Sequence, residues 1–369
     1  MPVPLLDLTR QYEPLREEFR HAIDRVCDSQ RFILGAEVED FEREAAAVLS
    51  VGHAVGVTSG TDALLEALMA LGVGPGDEVV VPTFSFFATA GVVARLGATP
   101  VFVDVDPIDF CIHPEELKER IGPRTRAVIP VHLYGQTADM GAVMEAAGSV
   151  PVIEDCAQAW GADYYGRQVG SIGLMGAFSF FPSKNLGCFG DGGLITTADA
   201  GLDGTLRELR MHGQSGPYEH PAVGGNFRLD ALQAAILRVK LPHVPGWVKG
   251  RRANAERYRS LFEQSGLEGT VEMPAALPGR GHTFNQYVVR VSRRDELRTF
   301  LTERGIGAAV YYPLPLHLQP CFKHLGYGEG DFPVAEQASR EVLALPVFPE
   351  LAESELEEVV RAIEEFYAN

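Results

Sequence analysis

Residues Gly176-Ala177-Phe178-Ser179-Phe180-Phe181-Pro182-Ser183-Lys184-Asn185-Leu186-Gly187, followed by Gly190-Asp191-Gly192-Gly193, decide how the rest of the chain is read. The first five are short and apolar and predict a buried strand. Pro182 breaks it, because proline fixes φ and lacks a backbone donor. A single lysine, Lys184, then sits in a Ser/Asn/Gly-rich turn, and the chain returns as the apolar strand Leu194-Ile195-Thr196-Thr197. A cation between two buried strands is costly to desolvate unless it has a partner or a chemical task. Burial lowers a lysine's pKa and makes its amine a candidate nucleophile for a Schiff base. The same pattern also suits a loop-tip lysine whose stem lies on apolar surface and whose head stays in water.

Working outward, Val55-Gly56-Val57-Thr58, Glu78-Val79-Val80-Val81, Val101-Phe102-Val103, Ala127-Val128-Ile129-Pro130-Val131 and Val152-Ile153-Glu154-Asp155 read as short strands. Helices fall between them: one with Leu64, Leu65, Leu68 and Leu71 on its apolar face, then residues 85–96, 114–121 and 138–147. Strands alternating with helices predict an α/β protein, a mainly parallel sheet with helices on both faces. Before the first strand, Leu15, Phe19, Ile23 and Val26 recur at helical spacing over residues 15–28, and Val38, Phe41, Ala45 and Val48 make a second helix. After Lys184 come a helix around 199–211, a glycine-rich loop from Gly213 to Gly225, and a helix through Leu232, Ala235, Ile236 and Val239. The prolines at 242 and 245 end it. The domain boundary is expected here, with a large domain over 1–244 and a smaller one over 245–369. The second part opens on a charged helix over 246–265. A strand near 286–292, a helix near 294–304 and a strand near 308–311 follow. After the loop Tyr311-Tyr312-Pro313-Leu314-Pro315-Leu316-His317, helices are predicted near 333–344 and 353–367, separated by a fixed, extended stretch at Leu345–Pro349.

Composition narrows the function. The formal net charge of −18 argues against nucleic acid as a general partner, because phosphate backbones need a basic surface. It leaves room for a small anion in a local pocket. No run of about 18 apolar residues predicts a membrane span, and the N-terminus, with Asp7, Arg10 and Glu13, has no secretory apolar core. Five dispersed cysteines without CxxC spacing predict reduced thiols in a cytoplasmic protein, with no disulfide frame and no metal site.

In parallel sheets ligands bind at the carboxyl ends of the strands. Three stretches lie there. Ser59-Gly60-Thr61-Asp62 joins a strand to a helix and presents backbone N–H groups and hydroxyls at the helix N-terminus. That suits an anion, or plain capping by Ser59 or Thr61. It matches neither GxxxxGK nor GxGxxG. Asp155 ends a buried run and needs a cationic or N–H partner, unless it only caps the next segment. Thr83-Phe84-Ser85-Phe86-Phe87 is the third.

Together with Glu154-Asp155-Cys156-Ala157-Gln158 and Asn226-Phe227-Arg228-Leu229-Asp230-Ala231-Leu232-Gln233-Ala234-Ala235-Ile236-Leu237, these stretches resemble the DegT/DnrJ/EryC1/StrS sugar aminotransferases over nearly the whole chain. The resemblance implies the type I fold of pyridoxal-phosphate enzymes: a mainly parallel seven-stranded sheet in a large domain and a smaller α+β C-terminal domain. It implies that Lys184 condenses with the aldehyde of pyridoxal 5′-phosphate and later moves a proton, with pyridoxamine 5′-phosphate as the intermediate cofactor form. Asp155 is implied at the pyridinium nitrogen and Gln158 beside the phenolic oxygen. Gly60, Thr61 and Ser179 are implied at the phosphate, assisted by Ser183, with Phe86 stacked on the ring. Family members are homodimers with shared active sites, so Asn226 is expected at the partner's phosphate group. Arg228, Tyr311, Tyr312 and His317 are expected to border the partner's sugar-nucleotide site. Arg228 also suits an interface ion pair, and His317 an exposed loop.

In some relatives a histidine precedes the proline of the lysine turn; here it is Phe181. A branch in which histidine replaces the lysine is a dehydratase, and Lys184 argues against it. The implied reaction moves an amino group from an amino acid, L-glutamate by family analogy, to a nucleotide-linked keto-hexose. The lysine turn and the Tyr312–Leu316 loop look most like members acting at C3; a 4-keto substrate is the alternative. A lyase or aldolase of the same fold, or a binding protein without catalysis, are the rival classes.

Overall fold

The computed structural model describes residues 2–368. Three helices lead in: α1 (Leu8–Tyr12), α2 (Arg16–Ser29) and α3 (Ala36–Leu49). Then strands and helices alternate: β1 (His53–Val57), α4 (Gly60–Ala70), β2 (Glu78–Pro82), α5 (Ala88–Arg95), β3 (Thr99–Val103), α6 (Pro114–Arg120), β4 (Thr125–Val128), α7 (Met140–Ala147) and β5 (Ile153–Asp155). A two-residue hairpin, β6 (Asp163–Tyr164) with β7 (Arg167–Gln168), precedes β8 (Met175–Ser179) and β9 (Gly193–Thr197). Helices α8 (Ala200–Leu209) and α9 (Ala231–Lys240) close this part.

The strands form two hydrogen-bonded groups, β3-β2-β4 and β1-β9-β8-β5. Parallel bridges Val128↔Val152 and Val131↔Asp155 join them. Three plus four strands give one seven-stranded sheet, β3-β2-β4-β5-β8-β9-β1. In it β9 runs against both neighbours and the other pairings are parallel. Val79, Val80 and Val81 of β2 are fully buried, as expected for a parallel strand covered on both faces. The expected mainly parallel sheet is therefore present. Gly193 opens β9 against the start of α4: a Cβ there would lie 2.4 Å from the Ser59 carbonyl carbon, so no larger residue fits.

A second sheet is built from β10 (Val271–Glu272), β11 (Tyr287–Val291) and β12 (Val342–Leu345), paired antiparallel in that order. Side chains of α10 (Val244–Gln264), α11 (Arg294–Glu303) and α13 (Glu353–Ala368) share its core, among them Tyr258, Leu297 and Ile363. Val3 joins the same core and bridges to Ile306.

Four local expectations change. The helix expected over 333–344 is α12 (Pro333–Glu341), and the next four residues are β12. Val342-Leu343-Ala344-Leu345 is wholly buried, and such a run suits a buried strand as well as a helix. Leu345 thereby belongs to a paired strand and not to the extended stretch before Pro349. Residues 308–311 form no strand beyond one bridge, Ala309↔Ala344. On α3, Val48 is exposed and Leu49 takes the core position.

A buried ion cluster ties α3, β1 and the end of α8 together. Glu42 accepts from the Gly56 N–H at 2.8 Å and from Arg210 at 2.5 Å with Oε1, and from Arg207 at 2.8 Å with Oε2. Glu42→Ala leaves the buried Arg210 guanidinium without its carboxylate and is expected to cost about 3–5 kcal/mol. A lowered denaturant midpoint at unchanged m-value is the measurement that checks it.

Candidate active site

The carboxyl ends of β2, β5 and β8 and the N-terminus of α4 surround one open cavity of about 440 Å³. Its wall contains Lys184, Asp155, Gly60, Thr61, Phe86, Gln158, Ser179, Ser183, Tyr311 and Tyr312. Ten of the thirteen residues singled out from sequence thus meet in one place, and two of these, Tyr311 and Tyr312, line their own chain's cavity where the partner's site was expected. The other three, Asn226, Arg228 and His317, do not line it.

Asp155 is the last residue of β5. Its backbone is held on both sides: its N–H donates to the Pro130 carbonyl at 2.9 Å, and its carbonyl accepts from the His132 N–H at 3.0 Å. Oδ1 accepts from the Ala157 N–H at 3.1 Å and Oδ2 from the Thr89 hydroxyl at 2.9 Å. Thr89 is itself 2.9 Å from the Ser85 hydroxyl. Burial raises the carboxyl's pKa, and the Ala157 N–H, the Thr89 hydroxyl and Lys184 pull against it.

Lys184 projects from the turn between β8 and β9, where its own N–H donates to the Phe181 carbonyl at 2.9 Å. Among the described residues its Nζ has no hydrogen bond, and no carboxylate lies within 4.0 Å of it. The side chain keeps some accessible area because it faces the open cavity. The protein around the ammonium still desolvates it, and burial lowers its pKa to about 8, with Asp155 opposing. The site therefore holds a weakly basic amine and a carboxylate in one cavity without fusing them into an ion pair.

Ser59, also in the wall, caps α4, its hydroxyl accepting from the Asp62 N–H at 3.0 Å. The N–H groups of Gly60 and Thr61 precede the first intrahelical acceptor, so they are free for a ligand, with the positive end of the helix dipole behind them. A Cβ on Gly60 would come within 2.6 Å of the Ser179 Cβ, which brings the Ser179 hydroxyl against the helix end. Gln158 is oriented from behind: Oε1 accepts from the Tyr134 N–H at 2.6 Å, and Nε2 donates to the Tyr312 hydroxyl at 3.1 Å. Phe86 is more than half exposed on the rim, 6.3 Å from the Tyr312 ring. Tyr134 donates through its hydroxyl to the Tyr311 carbonyl and so ties the Tyr311–Tyr312 loop to the wall.

His317 departs from expectation. It is 1% exposed, with Nδ1 2.7 Å from the Thr83 hydroxyl and Nε2 3.3 Å from Glu336. A fully buried imidazole cannot border a ligand, and neither is it an exposed loop residue. Its hydrogen bond to Thr83 ties its loop to the end of β2, and Nε2 approaches Glu336 of α12 without a hydrogen bond. Asn226 is exposed and Arg228 half-buried, beside β1, and the Arg228 Nε is buried with no partner among the described residues.

Sequence reading missed the supports. Thr89 lies two residues beyond the stretch that ends at Phe87, and its position one helical turn after Ser85 was the available signal. His132, Glu154 and Cys156 form a further buried cluster, with donor atoms within 4.8 Å of one another. It is a satisfied network and not a set of free metal ligands. The Ala138 N–H donates to His132 Nδ1 at 3.0 Å, so Nε2 carries the proton and donates to Glu154 at 3.1 Å. Glu154 also accepts from the N–H groups of Gly170, Ile172 and Gly173. Burial pushes the Cys156 thiol well up and keeps it neutral. The cluster holds the strand end that presents Asp155.

Residues 13–364 match the family described as the DegT/DnrJ/EryC1/StrS aminotransferase family. A "pleiotropic regulatory protein" of Geobacillus stearothermophilus is 50% identical over 369 residues, covering 100% of this chain and 99% of its own. A UDP-N-acetyl-3-dehydro-alpha-D-glucosamine 3-aminotransferase of Acidithiobacillus ferrooxidans is 47% identical, covering 98% and 97%. Among solved structures, S. venezuelae DesV in complex with a ketimine intermediate superposes with a TM-score of 0.96 at 45% identity, covering 100% and 99%.

Thr89→Val removes the hydroxyl donor from Asp155 Oδ2. The loss is about 1–2 kcal/mol, which raises the Asp155 pKa further by roughly one pH unit. Carboxyl-labelled NMR titration is expected to show that rise in Thr89→Val and not in Thr89→Ser.

Proposed function

This chain belongs to the DegT/DnrJ/EryC1/StrS aminotransferase family, whose enzymes use pyridoxal 5′-phosphate, and from that premise we propose that it aminates C3 of a nucleotide-linked keto-hexose. The amino group comes from an amino acid, L-glutamate. The observation that carries the reading is the desolvated amine of Lys184 in the same cavity as the buried Asp155 carboxylate.

The residues present fit the cofactor. The cavity lining offers free N–H groups and hydroxyls for a phosphate, a carboxylate and an amine. Bound there, pyridoxal phosphate supplies an aldehyde that takes up amines and a ring that draws electron density from the carbon next to the nitrogen. Gly60 and Thr61 hold the phosphate on the dipole of α4, with the Ser179 and Ser183 hydroxyls beside it. Asp155 would face the ring nitrogen and hold a proton there, and the Thr89 and Ala157 donors favour the ionised form of Asp155 against the burial that disfavours it. Gln158, with its carbonyl already engaged by Tyr134, turns its NH2 toward the ring's phenolic oxygen. Phe86 covers the ring face.

Lys184 does the proton transfer. Burial lowers its pKa to about 8, which leaves a free-base fraction at neutral pH, so with the cofactor bound this amine would be the group that carries the proton away from the donor's α-carbon.

The protein works as a cytoplasmic homodimer, residues 1–244 holding the cofactor and 245–369 forming the smaller domain. Asn226 and Arg228 lie outside their own chain's cavity, which suits residues that reach the partner's site; Asn226 then meets the phosphate group and Arg228 an anionic part of the sugar nucleotide. Tyr311 and Tyr312 border the sugar. Amination at C3 rests on the lysine-turn and Tyr312–Leu316 resemblance and on the 3-aminotransferase that is 47% identical. The regulatory name of the 50%-identical relative favours a second reading, sugar-nucleotide binding without turnover.

The test is to supply L-glutamate with defined 3-keto and 4-keto nucleotide hexoses and to read the product by NMR. The expected product carries its amine at C3, and Lys184→Ala is expected to lower the rate roughly 10³-fold or more. Amination at C4 would overturn the regiochemistry. Binding without product in the parent protein would favour the second reading.

A further inference from the structure

The turn that carries Lys184 is held from behind by one face of α9. Its two limbs touch: the Cys188 N–H donates to the Phe180 carbonyl at 2.8 Å, and a Cβ on Gly187 would lie 2.5 Å from the Pro182 carbonyl oxygen. Asn185, next to the lysine, gives the turn no hold, because its buried amide has no hydrogen-bond partner among the described residues. The hold comes from two α9 side chains seven residues, or two helical turns, apart. Gln233 accepts from the Phe189 N–H at 2.8 Å and donates to the Phe189 carbonyl at 3.3 Å. Lys240 donates through Nζ to the Gly187 carbonyl at 2.6 Å.

Lys240 is an expensive way to make that bond. It is 4% exposed, and no carboxylate among the described residues pairs with it. Its nearest electrostatic company is the Phe189 ring at 5.2 Å, the Phe19 ring at 6.0 Å and the thiol of Cys188. Burial pushes that thiol up to about 12, so it supplies no counter-charge. A buried ammonium without a counter-ion costs stability, a cost that an apolar residue of similar length avoids. Lys240 does not line the catalytic cavity. Its bond ends on the peptide three residues beyond Lys184.

We propose that Lys240 is a positioning residue for the reaction: its ammonium, fixed on the Gly187 carbonyl, holds the turn closed so that Lys184 stays in the desolvated wall of the cavity. The proposal rests on Lys184 being the reacting amine. Lys184 owes its weak basicity first to burial, so any loosening of the turn hydrates it and makes it a stronger base.

The test compares the parent chain with Lys240→Met, an unbranched side chain one atom shorter that removes the charge. Competitive acetylation of the cofactor-free chain, resolved by peptide mass spectrometry, reads the titration midpoint of Lys184. The parent midpoint is expected at about 8. In Lys240→Met it is expected to rise by about one pH unit, with the melting temperature held or raised. The half-reaction with L-glutamate is expected to slow about tenfold or more, as misplacement of a reacting group does. An unchanged Lys184 midpoint, or a lowered melting temperature with an unchanged midpoint, would overturn the proposal. If Lys240→Met does not fold, Gln233→Leu removes the neighbouring brace, and the same rise in midpoint is expected. Borohydride fixation of pyridoxal 5′-phosphate on another lysine would count against Lys184 as the reacting amine and not against the brace.

Discussion

One constraint organises the molecule: an amine and a carboxylate must be kept in the same cavity without being allowed to pair. A direct contact between Lys184 and Asp155 would satisfy both charges and leave neither for a ligand. The fold prevents it by giving each group its own support. Asp155 is fixed at the end of a parallel strand and satisfied by the Ala157 N–H and the Thr89 hydroxyl. Lys184 is carried by a turn between the two strands where the sheet changes direction, and only burial and the distant carboxylate set its acidity. The reversed strand β9 has a function in this arrangement. It pairs antiparallel with β8, Ser179 opposite Gly193, so both ends of the loop over 180–192 that carries Lys184 are fixed side by side at the strand ends.

The supports lie in shells around that pair. Behind Asp155, Glu154 gathers His132 and three backbone N–H groups into a saturated network that fixes the end of β5. Behind Lys184, α9 grips the returning limb through Gln233 and Lys240. Between the two, glycines at 60 and 193 allow α4, β8 and β9 to meet at distances no side chain would permit. The anion-binding end of α4 is thus placed by sheet packing and not by its own loop.

Much of this was legible along the chain, and the reason is topological. In a parallel sheet every strand end points to the same edge, so residues such as Thr61, Asp155 and Ser179 converge although nothing local says so. Lys184 stood out because a cation between two buried strands is costly to desolvate unless it is paired or reacts. The supports were harder to see because their partners are remote in sequence. Thr89 meets Asp155 across 66 residues, and His317 meets Thr83 across 234. Read locally, His317 sits in a proline-rich loop and looks available; only packing against β2 and α12 shows that it is interior. The strand β12 was concealed for a different reason. Val342 to Leu345 is apolar throughout, and a run buried on all sides carries no periodicity with which to tell strand from helix.

The account stands on the chemistry of one side chain. Incubation of the purified protein with pyridoxal 5′-phosphate, followed by borohydride reduction and peptide mapping, tests it most directly. The cofactor's added mass is expected on Lys184 and to be absent from Lys184→Ala. Protein that takes up no label, or takes it up at another lysine with Lys184 unmodified, would contradict it.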